Sequence, residues 1–103
     1  MAPGQDSGLI VSATATHATA AVATITGVAG QKTHITDISA SSDKAGSIIL
    51  VKDGTTVIWQ DIVGAGNYEH HFSSPLPASI GADCSVSIDG TAACKANIAG
   101  YQV

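Results

Sequence analysis

From Leu9 onward the chain is a succession of short β-branched runs interrupted by Gly, Pro, Asn, Asp and Ser roughly every 8 to 12 residues. That rhythm constrains the fold more than anything else in the sequence, because sandwiches and barrels of short antiparallel strands are built on it. Strands are expected near 9–15, 19–26, 33–41, 47–52, 55–62, 67–73, 84–88 and 93–102. Turn residues separate them at 27–30, 42–46, 53–54, 64–66, 75–81 and 89–90. Glu69 is the only Glu, Arg is absent, and Ile and Val far outnumber Leu, so strong helix formers other than Ala are nearly missing. The stretch 13–24 is rich in Ala, yet its Thr14, Thr16, Thr19 and Thr24 favour extended chain. The expected fold is all-β: a small antiparallel β-sandwich, jelly-roll-like, of about eight short strands. A length of 103 residues suits one domain. Residues 1–8 are polar, with Pro3, Gly4 and Gly8, and read as a flexible N-terminal arm, which leaves 9–103 as the domain.

Two hairpins are expected. In the first, Asp53-Gly54 forms a primed two-residue turn between Ile48-Ile49-Leu50-Val51 and Val57-Ile58-Trp59. That register pairs Leu50 with Val57 and Ile48 with Trp59 on one face, leaving Ile49, Val51 and Ile58 on the other. Both faces are apolar, whereas an antiparallel sheet in a small monomer ordinarily wets one of them. Ile49, Val51 and Ile58 are therefore candidate subunit-interface residues, the alternative being cover by the arm or a loop. In the second, Asp89-Gly90-Thr91 joins 84–88 to 92–98 and brings Cys84 and Cys94 near each other on one inward face. Two core thiols are favoured there over a disulfide.

Charge and motif content exclude several functions. Only 12% of residues are charged, the net charge is -4, and Lys32, Lys44, Lys52 and Lys95 are scattered. Nucleic acid is an unexpected partner, since phosphate neutralisation needs clustered cations and base reading leans on Arg. No apolar run reaches the roughly 20 residues of a membrane span, and the N-terminus lacks the pattern of a signal peptide, so neither membrane insertion nor export is expected. His70 and His71 are adjacent, but neighbouring strand residues point to opposite faces and cannot readily close on one ion. Asp53 and Asp89 precede Gly in turns and are expected to cap their own backbone. No nucleophile elbow, phosphate-cradling loop or calcium loop is present, so no catalytic residue, cofactor or metal is expected. Trp59, Tyr68, Phe72 and Tyr101 could form a sugar-stacking platform, although Trp59 and Phe72 suit a core better.

Several segments carry a family resemblance: Gly30-Gln-Lys-Thr-His34-Ile-Thr-Asp-Ile-Ser-Ala-Ser41, Ile49-Leu-Val-Lys-Asp-Gly-Thr-Thr-Val-Ile58, His71-Phe-Ser-Ser-Pro-Leu-Pro77 with Gly81, and Asp89-Gly-Thr-Ala with Asn97-Ile-Ala-Gly-Tyr101. Together they resemble small β-sandwich structural proteins of tailed bacteriophages. Cys84 and Cys94 depart from that pattern, since a Leu-rich or Ala-rich strand is usual there. The resemblance implies a virion component, foremost a capsid decoration or cement protein. Its partners would be an HK97-like major capsid protein and itself, as a homotrimer on the capsid surface after synthesis in the host cytoplasm. Tail, neck or fibre subunits and a weakly carbohydrate-binding module are the alternatives. In the capsid role, Ala2, Pro3, Gln5 and Asp6 of the arm are expected to contact the shell.

Overall fold

The computed structural model describes residues 9–103, so the arm with Ala2, Pro3, Gln5 and Asp6 lies outside the described residues. Eight strands follow one another: β1 (Leu9–His17), β2 (Ala20–Ile25), β3 (Thr33–Ser42), β4 (Ser47–Asp53), β5 (Thr56–Val63), β6 (Gly66–Pro77), β7 (Cys84–Asp89) and β8 (Cys94–Gln102). They form two four-stranded antiparallel sheets, ordered β1-β8-β3-β6 and β2-β7-β4-β5. β1 lies on β8, β2 on β7, β3 on β6 and β4 on β5, which is the nested pairing of a jelly roll. No helix among the described residues is long and apolar enough to cross a membrane.

Period-two alternation makes the core. β2 buries Ala21, Ala23 and Ile25, and β7 buries Cys84, Val86 and Ile88. β3 and β8 answer from the other sheet with Ile35, Ile38, Ala40, Cys94, Ala96 and Ile98. Most buried polar side chains find partners, Gln31 Oε1 being an exception: Gln102 Nε2 donates to Thr26 O at 2.9 Å and to Thr33 Oγ1 at 3.2 Å. At the opposite end of the sandwich, Ser42 and Ser47 hydroxyls both donate to Asp89 O. Hydrogen bonding of this kind is what lets hydroxyls and an amide sit in a core.

The first hairpin forms, with a different register. Asp53 pairs with Thr56 across a Gly54-Thr55 turn, and Gly54 takes φ +62°, the positive value a primed turn needs at its first central position. Lys52 pairs with Val57, then the register shifts, so Val51 pairs with Trp59 and Ile48 with Ile62. The expected Leu50–Val57 and Ile48–Trp59 pairs are thereby replaced. One extra residue on β5 turns Trp59 toward the face of Val51, as a bulge does.

The second hairpin is not formed. β7 and β8 belong to different sheets, so Gly90–Ala93 is a crossover between layers. Cys84 pairs with Ile25 and Cys94 with His17, at opposite ends of the sandwich. Both thiols are free and buried, and burial raises the pKa of Cys84.

Asp43 holds that crossover. Its carboxylate accepts from Thr91 N at 2.8 Å, Thr91 Oγ1 at 2.9 Å and Ala92 N at 2.8 Å. These bonds, the Thr91 backbone first, lower its pKa from 3.8 to about 2. A carboxylate depressed in the folded state stabilises it above the unfolded pKa, and that contribution disappears as pH falls through the folded one. The melting temperature of Asp43→Asn is therefore expected below wild type at neutral pH, with the gap closing between about pH 4 and pH 2. Thermal melts across that range check this, and a gap unchanged at pH 2 would contradict it.

Candidate functional site

The outer face of the β2-β7-β4-β5 sheet is the most apolar exposed surface. Ile48 and Ile62 sit directly opposite each other on β4 and β5, 47% and 72% exposed. Val22 on β2 is 52% exposed and Val57 at the β5 bulge 42%. Leu50, half-buried, lies between them in a row running Val22, Ser87, Leu50, Gln60. Among the described residues, the charged ones on this face are Lys52 and Asp89, at its two ends, and a hydrogen bond from Lys44 holds the Asp89 carboxyl below its usual range.

The sequence-predicted interface residues lie elsewhere. Ile49 and Val51 are fully buried in the intramolecular core, and Ile58 packs partly buried against it. Ile49 and Val51 cannot serve a partner without opening the sandwich, which corrects the expectation for those two, while Ile58 keeps part of its surface exposed on edge strand β5. The run Ser47–Val51 alternates cleanly, but with apolar residues at every position from 48 to 51 the pattern gives no sign of which set turns inward. The exposed set, Ile48 and Leu50 with Ile62, carried only that ambiguous signal.

The outer face of the other sheet carries polar side chains over a shallow depression to which Ala13 and Ala99 also contribute. A shallow trough of about 300 Å³ crosses all four strands, floored by Ser12, Thr14, Asp37, Ser39, Glu69 and Asn97. Asn97 Nδ2 donates to Ser39 Oγ at 2.9 Å, and Asp37 pairs with His71 Nδ1 at 2.7 Å, a contact that lowers the Asp37 pKa. On the same sheet, outside the trough lining, His34 and Tyr101 stack with ring centroids 4.8 Å apart. Asp37 and Glu69 lie on strands whose pairing the sequence does not give, and the signal for the rest of the floor is the alternation of Ser12, Thr14 and Thr16 along β1.

Trp59 and Phe72 belong to the core as expected, Phe72 buried and Trp59 packed against it, and no sugar-stacking platform of the four aromatics is assembled. Trp59, Tyr68, His70 and Phe72 fill the gap between edge strands β5 and β6, with Trp59 5.0 Å from His70 and 5.4 Å from Phe72. Tyr68 Oη donates to Asp61 at 3.0 Å and closes the cluster. Tyr101 of β8 stands apart, stacked on His34 of β3. His70 and His71 point to opposite faces, the first into the aromatic cluster and the second to Asp37. Among the described residues, no three His, Cys, Asp or Glu side chains converge to hold a metal.

The turn carboxylates reach beyond their own turns. Asp53 accepts from Ser79 N and Oγ, Asp83 from Gly27 N, and Asp89 from Lys44 and from Ile48 N. Each ties one loop or strand to another distant in sequence, so the expectation that Asp53 and Asp89 cap their own backbone is replaced by a bracing role.

The sequence matches no family model, and no curated protein matches it. Among solved structures the chain is similar to dimeric latent PorU from Porphyromonas gingivalis, at 10% identity and a TM-score of 0.40 over 89% of this chain. The chain spans 13% of the length of that one, and a likeness this faint carries no argument about fold or activity.

Proposed function

We propose that the protein is a non-catalytic virion structural component, a decoration or cement subunit that binds a phage capsid shell through the outer face of the β2-β7-β4-β5 sheet. The observation that supports this is the directly paired, exposed Ile48 and Ile62, flanked by Leu50, Val22 and Val57. Solvent-facing aliphatic rows on an antiparallel sheet mark contact surfaces, since a solitary domain gains nothing from them. A repeating shell multiplies weak contacts of this kind through avidity. The virion assignment itself comes from the sequence resemblance.

The test is co-sedimentation with undecorated capsids. Replacing Ile48 and Ile62 together by Asp places like charges opposite each other on the face. The variant is expected to stay folded and to lose capsid binding by at least about 100-fold, the equivalent of roughly 3 kcal/mol. Undiminished decoration by the variant would remove the sheet face from the proposal.

Saccharide binding is a second reading, favoured by the hydroxyl, amide and carboxylate groups in the trough and by the His34–Tyr101 stack elsewhere on that sheet. It separates from the first in the same experiment, because retention on polysaccharide by the Ile48 and Ile62 double variant requires the other face.

A further inference from the structure

A β-sheet edge is a template for another chain, and natural proteins block edges with charge, proline, bulges or short length. The four edges here are not equally guarded. β6 carries Glu69, His70, His71, Pro75 and Pro77, and its pairing with β3 is irregular between Ile35 and Asp37. β5 has its bulge and Asp61. β2 is only six residues long. β1 differs on every count: its nine residues pair with β8 in unbroken register, without Gly, Pro or bulge, and without an Asp, Glu or Lys.

The side chains of β1 point to a missing neighbour as well. Val11, Ala13 and Ala15 pack against the core yet stay half-buried: among the described residues no strand of their own sheet lies beyond them, and β2 of the other sheet approaches β1 from one side. On the outer face Ile10 is 85% exposed.

We propose that β1 is a strand-pairing edge whose partner is β1 of a second copy, antiparallel about a two-fold axis through Ala13. In that register Val11 meets Ala15 and Ala13 meets Ala13 on the inner face, extending the half-buried row into a second core. On the outer face Ile10 meets Thr16 and Ser12 meets Thr14. An isologous contact sets each residue near its own copy, so a charge close to the axis would be repelled by its twin. The absence of charge from Leu9 to Thr16 is the condition such a pairing requires, and the small Ala and Ser side chains allow close approach. The product is one continuous eight-stranded sheet shared by two sandwiches. The pairing is independent of the capsid-binding face, which belongs to the other sheet.

Sedimentation equilibrium and native mass spectrometry of the full chain, without capsids, test this. Wild type is expected to be a dimer. Ser12→Lys with Thr14→Lys sets two like-charge pairs across the axis and is expected to weaken dimerisation roughly tenfold or more. Ser12→Glu with Thr14→Lys sets two attractive pairs and is expected to keep or tighten the dimer. Ser12 and Thr14 are exposed in the single chain, so both variants should keep the strand spectrum. A wild-type monomer overturns the proposal, and so does a trimer, since this contact closes with two copies. A dimer indifferent to both substitutions overturns it too. None of these outcomes touches the Ile48 and Ile62 experiment, so the two readings fail separately.

Discussion

Gly100→Ala is expected to destabilise the fold by at least about 3 kcal/mol, a large share of the roughly 5–15 kcal/mol that holds a small domain together. Gly100 is buried on β8, opposite Val11 of β1 and Ile35 of β3, where the β3 register shifts. A Cβ placed on it would lie 2.1 Å from the His34 carbonyl oxygen and 3.1 Å from the Ile35 Cα. Those are backbone atoms on a central strand bonded on both sides, so they cannot swing away as a side-chain tip would. The cause is steric and not conformational, since Gly100 has no positive φ. Gly64→Ala is the matched control: its φ is also not positive, and a Cβ there meets nothing within 4 Å. Urea denaturation should show a much lower midpoint for Gly100→Ala and a nearly unchanged one for Gly64→Ala. Equal midpoints would mean that β3 and β8 do not approach this closely.

Ile49→Lys is expected to abolish folding, while Ile48→Lys, one residue away, is expected to change stability by no more than about 0.5 kcal/mol. Ile49 is fully buried between the sheets, and its truncation to Ala alone would cost on the order of 2–5 kcal/mol. A lysine there puts a charge into the core, and the carboxylate opposite it, Asp61 on edge strand β5, is exposed and already accepts from Tyr68 Oη and Ile62 N. Ile48 projects from the other side of the same strand. Far-ultraviolet spectra and size-exclusion profiles of the two variants decide the matter. The reverse pattern would mean that β4 is turned over. A double Lys substitution at Ile49 and Ile58, which the sequence-derived interface suggests for splitting subunits apart, would unfold the single chain instead.

The strands were legible to within one or two residues at nearly every boundary, because Ile, Val and Thr runs and Gly-containing turns report local conformation directly. β6 is the exception, continuing to Pro77 where the pattern ends near residue 73. An edge strand tolerates Pro75 and Pro77, so proline there does not stop it. What the pattern lacks is any record of which sheet a strand joins. Cys84, Val86 and Ile88 alternate with Ser85 and Ser87 whether the chain turns back within a sheet or crosses to the other, and the structure takes the crossover at Gly90–Ala93. The interface was misread for a related reason. The bulge at Val57 and Ile58 carries no composition signal, yet it decides that Trp59 joins the face of Val51.

The nested pairing has a further consequence for how the chain can be assembled in time. Only β4 and β5 are neighbours in sequence and in the same sheet, joined by the Gly54-Thr55 turn near the middle of the chain. β3 with β6, β2 with β7 and β1 with β8 then bridge successively longer separations. Closing a loop costs more entropy as it lengthens, but each inner pair, once formed, shortens the loop that remains for the next. The least costly route therefore runs outward from Gly54, and β1, the strand with the unguarded edge, is the last to be covered by its own chain. With most contacts non-local, refolding belongs on the order of milliseconds to seconds. Over that interval the uncharged edges of two chains can meet before either sandwich is closed, so the feature that suits β1 to a specific partner also makes chain concentration matter while the protein folds.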